Sequence, residues 1–210
     1  MNFKQCESDS CVFKRPDEEL FVIVYVDDGI VVGETVQACR AVVEQLRKQF
    51  KMRIMSGEMF IGIELREQSG SLEISQRGYI DSTLKRFNMD NAKPSNTLFV
   101  DVVQGLKSTI DRPTDAPYRQ AIGSLTYLVA CTRPDIVYCV NQLARHNNNL
   151  QESHWTRVKQ VFRYPKATRN LCIKFSKDKK TIDGYSDADW REIAKDTQLQ
   201  ASSSCMEAGP

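Results

Sequence analysis

The feature that most constrains this chain is a pair of apolar runs, Leu20 to Val26 and Ile30 to Gly33, separated only by Asp27-Asp28-Gly29. Runs this rich in Val and Ile, and too short for a helix, read as β-strands. Neither run alternates with polar residues, so both faces of these strands are expected to be covered. Asp-Gly between two apolar runs is a strong hairpin signal. The expected structure is therefore a buried hairpin with two carboxylates at its tip. Two readings of that pair stand. In one, the aspartates serve the turn through side-chain to backbone bonding. In the other, the strands hold both carboxylates rigidly at the rim of a sheet, where oxygen donors suit a hard divalent cation such as Mg²⁺. Two such ions about 3.5 to 4 Å apart can clamp the attacking and leaving oxygens of a phosphoryl transfer. That chemistry needs a further carboxylate, which periodicity does not identify.

Helices and a second hairpin follow the first. Apolar positions 36, 39, 42, 43, 46 and 50 keep a helical period, with Thr35 placed as an N-cap. Glu58 to Leu65 and Ser71 to Ser75 read as two strands joined by a turn at Gln68-Ser-Gly-Ser. A short helix then carries Ile80, Leu84 and Phe87 on one face. Residues 93–117 lose periodicity and read as an extended connector. Three amphipathic helices come next: Tyr118 to Cys131 with Ile122, Leu125 and Val129 inward; Pro134 to His146; and Ser153 to Arg163, which Pro165 terminates. The helix from Tyr118 reads equally as an ordinary core helix or as one with an exposed working face. Leu171 to Phe175 and Thr181 to Ser186 read as a last hairpin. The fold class is α+β.

Composition narrows the function only a little. Apolar content of 41%, charged content of 27% and a net charge of +2 describe a globular chain and exclude a disordered one. The charge is uneven: between Arg157 and Lys180, nine Lys or Arg face the single Asp178. That stretch has the footprint of a phosphate-backbone contact, although Lys177 to Lys180 also suits a solvated hairpin tip. No secretion signal is visible, and Leu20 to Val26 is too short to span a bilayer. Seven scattered cysteines without a CxxC pair point to reduced thiols and a cytoplasmic or nuclear setting. His146 and His154 lack a Cys partner at zinc spacing.

Tyr25-Val26-Asp27-Asp28, Phe60-Ile61-Gly62-Ile63-Glu64, Ile122-Gly123-Ser124-Leu125 and Gly184 to Trp190, in that order along the chain, together resemble the Pol polyprotein of copia-type long-terminal-repeat retrotransposons. Tyr25-Val26-Asp27-Asp28 looks like the active-site hairpin of its reverse transcriptase. Upstream, Ser8-Asp9-Ser10-Cys11-Val12-Phe13-Lys14 is similar to the strand before that hairpin. Downstream, Phe60-Ile61-Gly62-Ile63-Glu64-Leu65 resembles its primer-grip strand, and Ser75-Gln76, Tyr79-Ile80 and Leu84 to Met89 continue in register. Tyr118-Arg119, Ile122-Gly123-Ser124-Leu125, Tyr127-Leu128 and Thr132 to Ile136 resemble the thumb region. His154-Trp155 and Arg163-Tyr164 look like the connecting segment, and Gly184 to Trp190 like the first strand of ribonuclease H.

The resemblance implies a palm segment over 1–92, a connector over 93–117, thumb-like helices over 118–150, a connection over 151–180 and a truncated ribonuclease H start over 181–210. It implies RNA-directed DNA synthesis with Mg²⁺, an RNA template, a DNA primer and deoxynucleotides, and no membrane partner. Asp27 and Asp28 would be the metal-binding carboxylates of the polymerase site. Tyr25, Phe60 and Gly62 would shape the nucleotide and primer site, while Gly123 and Tyr127 would face the duplex. Asp187 would be the first metal-binding carboxylate of ribonuclease H, with Asp189 the weaker candidate and Glu207 a remnant of another ligand. The chain departs from the family in three respects, one being that the strands expected between Trp190 and the helix echoed by Ser202 to Ala208 are missing. The palm strand carrying a further catalytic aspartate belongs before residue 5, so two-metal catalysis is not expected of this chain alone. Pro165 and Ala167 also stand where the family's helix-ending Arg-Tyr-Leu-Lys-Gly-Thr has Leu and Gly.

Overall fold

The computed structural model describes residues 2–55, 57–68, 70–98, 112–147 and 150–176. The chain divides into two units, Met1–Asp178 and Lys179–Pro210, and every described residue lies in the first. The described residues form two four-stranded antiparallel sheets and five α-helices.

The first sheet has the order β1 (Lys4–Gln5), β2 (Val12–Lys14), β3 (Leu20–Tyr25) and β4 (Asp28–Gly33). Helix α1 (Val36–Arg47) follows directly, with the Thr35 hydroxyl accepting from the Ala38 N–H at 3.2 Å as the expected N-cap. It lies so close to the sheet that a Cβ on Gly33 would stand 3.1 Å from Cys39 Sγ of the helix, besides meeting Leu20 Cδ1 of the neighbouring strand at 2.6 Å. Leu20 and Val42 are fully buried there. Opposite residues of an antiparallel pair share a face. Leu20, Val22, Val31 and Gly33 therefore share the face that meets α1, and Phe21, Ile23, Tyr25, Asp28, Ile30 and Val32 share the other.

Expected coverage of both faces is not found. Tyr25 is 54% and Val32 45% exposed, and Phe21, Ile23 and Ile30 are only half-buried. Helix α1 covers one side, and the residues of the other side are left half-buried or exposed. Val36 and Phe50, expected to face inward from α1, are also exposed.

The second sheet has the order β5 (Met59–Phe60), β6 (Ile63–Gln68), β7 (Ser71–Ser75) and β8 (Ile173–Ser176). The single strand expected over 58–65 is two strands, folded back on each other at Ile61-Gly62 with Phe60 opposite Ile63. Strand β8 pairs with β7 and sets Phe175 opposite Leu72. The expected partner arm, 181–186, lies outside the described residues.

Most of the core is helical. Helices α2 (Arg77–Arg86), α3 (Tyr118–Cys131), α4 (Val137–Ala144) and α5 (Glu152–Ala167) enclose Ile80, Leu84, Leu125, Leu128, Val140 and Phe162, each under 5% exposed. Each such side chain contributes about 1.5–3 kcal/mol by leaving water. A single 3₁₀ turn, Pro134–Ile136, opens α4 with the proline at its first position. Phe87 stacks on Phe162 at 5.4 Å and meets Trp155 edge-on at 6.4 Å. The fully buried Tyr118 hydroxyl donates to the Leu143 carbonyl at 2.7 Å, tying α3 to α4.

Helix α5 does not stop before Pro165; it runs through to Ala167. A proline in the last turn removes only one helical donor, and outside bonds hold that turn. Lys166 Nζ donates to the carbonyls of Asp90 and Ala92, and Arg163 Nε donates to the Lys93 carbonyl at 2.6 Å. Thr168, the C-cap, has φ −106°, so this helix end needs no left-handed residue and Ala167 fits. No helix among the described residues is long and apolar enough to cross a membrane.

Candidate functional site

The register of β3 and β4 places Tyr25 opposite Asp28 and leaves Val26 and Asp27 as a two-residue loop. The turn is therefore two residues earlier than Asp28-Gly29: Asp28 begins β4, and Gly29 sits within the strand opposite Val24. Two-residue hairpin loops need a positive φ at their first central residue, because only the primed turns match the twist of the strands. Val26 meets that demand at φ 52°, a conformation that β-branched residues avoid. Strain of this kind, on the order of 1–3 kcal/mol, persists only where the surroundings impose it, and it gathers at functional sites. Here it fixes two adjacent carboxylates, Asp27 and Asp28, at an exposed tip. Tyr25 shares the face of Asp28, on the side of the sheet left open by α1.

A second strained turn lies nearby. Ile61 and Gly62 have φ 51° and 74°, both positive as a type I′ turn requires. Ile61 is again β-branched and an unusual choice for that position. The tip is held by α3, whose Tyr127 donates its hydroxyl to the Ile61 carbonyl. The Tyr127 ring meets Tyr79 edge-on at 4.9 Å. Burial pushes the Tyr127 phenol up to about 12, with the Cys131 thiol and the phenols of Tyr79 and Tyr25 adding to the shift. Tyr25 on the carboxylate hairpin, Gly62 on the second turn and Tyr127 on α3 are thus brought into one neighbourhood. Phe60 is half-buried at the base of the turn. Gly123, one helical turn before Tyr127, is exposed, and a Cβ there would meet nothing within 4 Å.

Several other motif residues are structural. Glu64 accepts from the Gly78 N–H at 2.7 Å and from Ser75 Oγ at 3.2 Å, so it caps the start of α2. Thr132 donates to the buried Gln76 side chain at 2.8 Å. Arg133, 1% exposed, sends Nε and Nη2 to the two Asp135 oxygens at 3.0 and 2.8 Å and a further Nη2 contact to Thr168 Oγ1 at 2.6 Å. Its guanidinium also lies over the Tyr164 ring at 5.3 Å. Burial opposes ionisation of Asp135, but the hydrogen bonds and charge of Arg133 more than offset it and hold the carboxyl below its ordinary range. Sequence reasoning had no means of seeing this clamp between α3, α4 and α5.

The basic stretch is largely occupied within the fold. Arg163 and Lys166 hold residues 90–93, Arg169 pairs with Asp81 at 3.3 Å, and Lys174 stands 3.9 Å from Glu73. Lys159 lies over the Trp155 ring, and Arg157 donates to Gln160. His146 and His154 stack at 4.2 Å, and His154 Nδ1 accepts from the Gln151 N–H to cap α5. Burial, with His154 and Arg145 beside it, lowers the His146 pKa. Among the described residues no three His, Cys, Asp or Glu side chains gather as a metal site. Asp187, Asp189 and Glu207 lie outside the described residues.

Residues 1–101 match the reverse transcriptase (RNA-dependent DNA polymerase) family. The chain is 36% identical over 195 residues to the retrovirus-related Pol polyprotein of transposon TNT 1-94 from Nicotiana tabacum, covering 87% of this chain and 15% of that one. It is 34% identical over 199 residues to the Pol polyprotein of transposon RE1 from Arabidopsis thaliana, covering 90% and 13%. An uncharacterised mitochondrial protein of Arabidopsis thaliana is 28% identical over 81% of this chain and 72% of its own length. No solved structure matches. The chain spans under a sixth of the Pol polyproteins it resembles, and it belongs to the reverse transcriptase family as a segment of a retrotransposon Pol polyprotein.

Proposed function

We propose that Asp27 and Asp28 are metal-binding carboxylates of a copia-type RNA-directed DNA polymerase site, and that this 210-residue chain carries only part of that site. The observation that supports the reading is the Tyr25–Asp28 hairpin itself. A strained two-residue turn offers two adjacent, exposed carboxylates beside an open sheet face. Their donor chemistry fits Mg²⁺, which takes hard oxygen ligands and is commonly held by one or two carboxylates together with substrate phosphates. When bound, the metal supplies charge stabilisation and alignment for attack of a primer hydroxyl on a deoxynucleotide. The chain's own contribution is positional. Asp27 and Asp28 hold oxygen donors in place, Tyr25 flanks the nucleotide and primer side, and the turn at Phe60–Gly62 acts as the primer grip. The face of α3 with Gly123 lies along the template-primer duplex, where the missing side chain admits close approach.

The domain reading follows from this one: palm over 1–92, connector over 93–117, thumb over 118–150, connection over 151–180 and the start of ribonuclease H over 181–210. Asp187 is then the first ribonuclease H carboxylate and Glu207 a remnant of a second. A non-catalytic nucleic-acid-binding role draws less support, since the cations of 157–174 named above already have partners inside the fold. An active polymerase in a longer polyprotein fits the small share of the relatives that this chain covers.

The test has two arms. Mn²⁺ should broaden the amide resonances of residues 25–29 in this chain, and Asp27→Asn with Asp28→Asn should abolish the broadening; a chain whose broadening ignores those substitutions has no metal site there. On a primed RNA template the chain alone should give no extension. Extension that disappears with the same substitutions would overturn the incomplete-site reading.

A further inference from the structure

A two-residue hairpin loop can adopt either primed turn. The two differ by a flip of the peptide between its central residues, with both φ positive in type I′ and only the first in type II′. The Ile61-Gly62 loop is type I′, with Gly62 at φ 74°. Its central peptide carries the Ile61 carbonyl on one edge and the Gly62 N–H on the other, and in a trans peptide these point in opposite directions. The carbonyl is taken by the Tyr127 hydroxyl. Gly62 is exposed, and its N–H lies on the edge of the peptide opposite the carbonyl that Tyr127 holds.

The Tyr127 side chain is itself held. Its ring packs edge-on against Tyr79, and Tyr79 in turn donates to the Ser124 carbonyl of α3 at 3.4 Å. Helix α3 is also tied to the start of α2 through Thr132 and Gln76 at 2.8 Å. The hydroxyl that reaches Ile61 therefore comes from a braced helix, whereas the tip it reaches has a β-branched residue at positive φ. A Cβ at Gly62 would stand 3.6 Å from the Tyr127 oxygen, an ordinary contact, so the oxygen sits against the turn without crowding it.

We propose that Tyr127 is a positioning residue: by holding the Ile61 carbonyl, its hydroxyl fixes the peptide plane between Ile61 and Gly62 and so aims the Gly62 N–H outward. Backbone N–H groups are common donors to nucleic-acid phosphates, and the importance of this aim for binding rests on the primer-grip reading of the turn. Tyr127 then acts on nucleic acid through the turn. This differs from an aromatic face that stacks on the duplex directly, and the two roles separate on removal of a single oxygen.

The experiment uses the full 210-residue chain, Tyr127→Phe, Tyr127→Leu and the control Tyr79→Phe. Amide spectra and hydrogen exchange read the turn, and fluorescence anisotropy reads affinity for a primed RNA–DNA duplex. Tyr127→Phe should displace or double the Gly62 and Ile63 amide resonances and speed their exchange, while β6–β7 amides and the thermal midpoint stay near those of the parent. Tyr79→Phe should leave residues 60–64 unchanged. Duplex affinity should fall about five-fold in Tyr127→Phe, the loss of one neutral hydrogen bond. An unchanged turn spectrum in Tyr127→Phe overturns the proposal. So does full affinity in Tyr127→Phe with loss only in Tyr127→Leu, which marks direct ring contact. If the parent chain does not bind the duplex, the primer-grip reading fails, and the spectra alone decide whether Tyr127 sets the turn.

Discussion

Replacing Val26 with glycine should stabilise the fold even though it removes an apolar side chain. Val26 is 84% exposed, so almost no buried area is lost. Its φ of 52° places a Cβ against the following backbone, a penalty of about 1–2 kcal/mol for an L-residue. Glycine escapes that penalty but enlarges the unfolded ensemble at a cost of about 0.5–1 kcal/mol. The balance favours glycine by roughly 0.5–1 kcal/mol. With a urea slope of about 2 kcal/mol/M for a unit of this size, the unfolding midpoint should rise by about 0.3–0.5 M. Val26→Ala is the informative comparison: it keeps the Cβ, so most of the strain stays and the midpoint should hardly move. The same Val26→Gly change should weaken Mn²⁺ binding at Asp27 and Asp28, because a looser tip holds the carboxylates less well. A lower midpoint for Val26→Gly, or equal gains for Ala and Gly, would refute the claim that backbone strain is stored at this tip.

Gly123→Ala should also stabilise, by about 0.5–1 kcal/mol, because alanine is the better helix former and its Cβ meets nothing within 4 Å. If α3 approaches a duplex at that face, the same variant binds primed RNA–DNA more weakly, and anisotropy beside thermal unfolding reads both effects. Arg133→Lys should lose about 3 kcal/mol in urea unfolding, because an ammonium cannot reproduce the fork to both Asp135 oxygens together with the Thr168 contacts. The folded pKa of Asp135 lies below its unfolded value, so its contribution is present above the ordinary carboxylate pKa and is lost as pH falls through the folded one. Asp135→Asn should flatten that acid-side part of the stability profile; an unchanged profile would show that the pair contributes nothing.

How much was legible in the sequence depends on how each feature is encoded. The faces of α2 to α5 were readable because Ile80, Leu84, Ile122, Leu125 and Phe162 recur at helical spacing and fill one core. The apolar hairpin was readable as strands, but its burial was not. Phe21, Ile23 and Val32 have the same composition whether their cover lies in this unit or elsewhere. Counting charge from Arg157 to Lys180 could not reveal that Arg163 and Lys166 reach back to the carbonyls of residues 90–93. Pro165 misled because the rule for proline concerns a helix by itself, and this helix end is held by its neighbours. The break at Ile61-Gly62 was missed because Phe-Ile-Gly-Ile reads as one apolar strand run, and the usual residues for such a turn are Asn-Gly or Asp-Gly.

The two turns that local propensity gets wrong have the same cause. Val26 and Ile61 are β-branched residues that favour extended backbone, yet both take φ near 50° at the first position of a two-residue loop. A chain selected only for stability has an easy alternative at each site in Asn or Gly. One tip instead adjoins Tyr25 and the two carboxylates and the other meets Tyr127, and each is held from outside itself, one by the six-residue register of β3 and β4 and the other by the Tyr127 hydroxyl. Conflict between local preference and tertiary structure is expected where function rather than stability sets the residue. The strain at Val26 and Ile61 is a backbone feature separate from the Tyr-Val-Asp-Asp motif, and it falls at the two turns that carry the proposed metal and primer-grip roles.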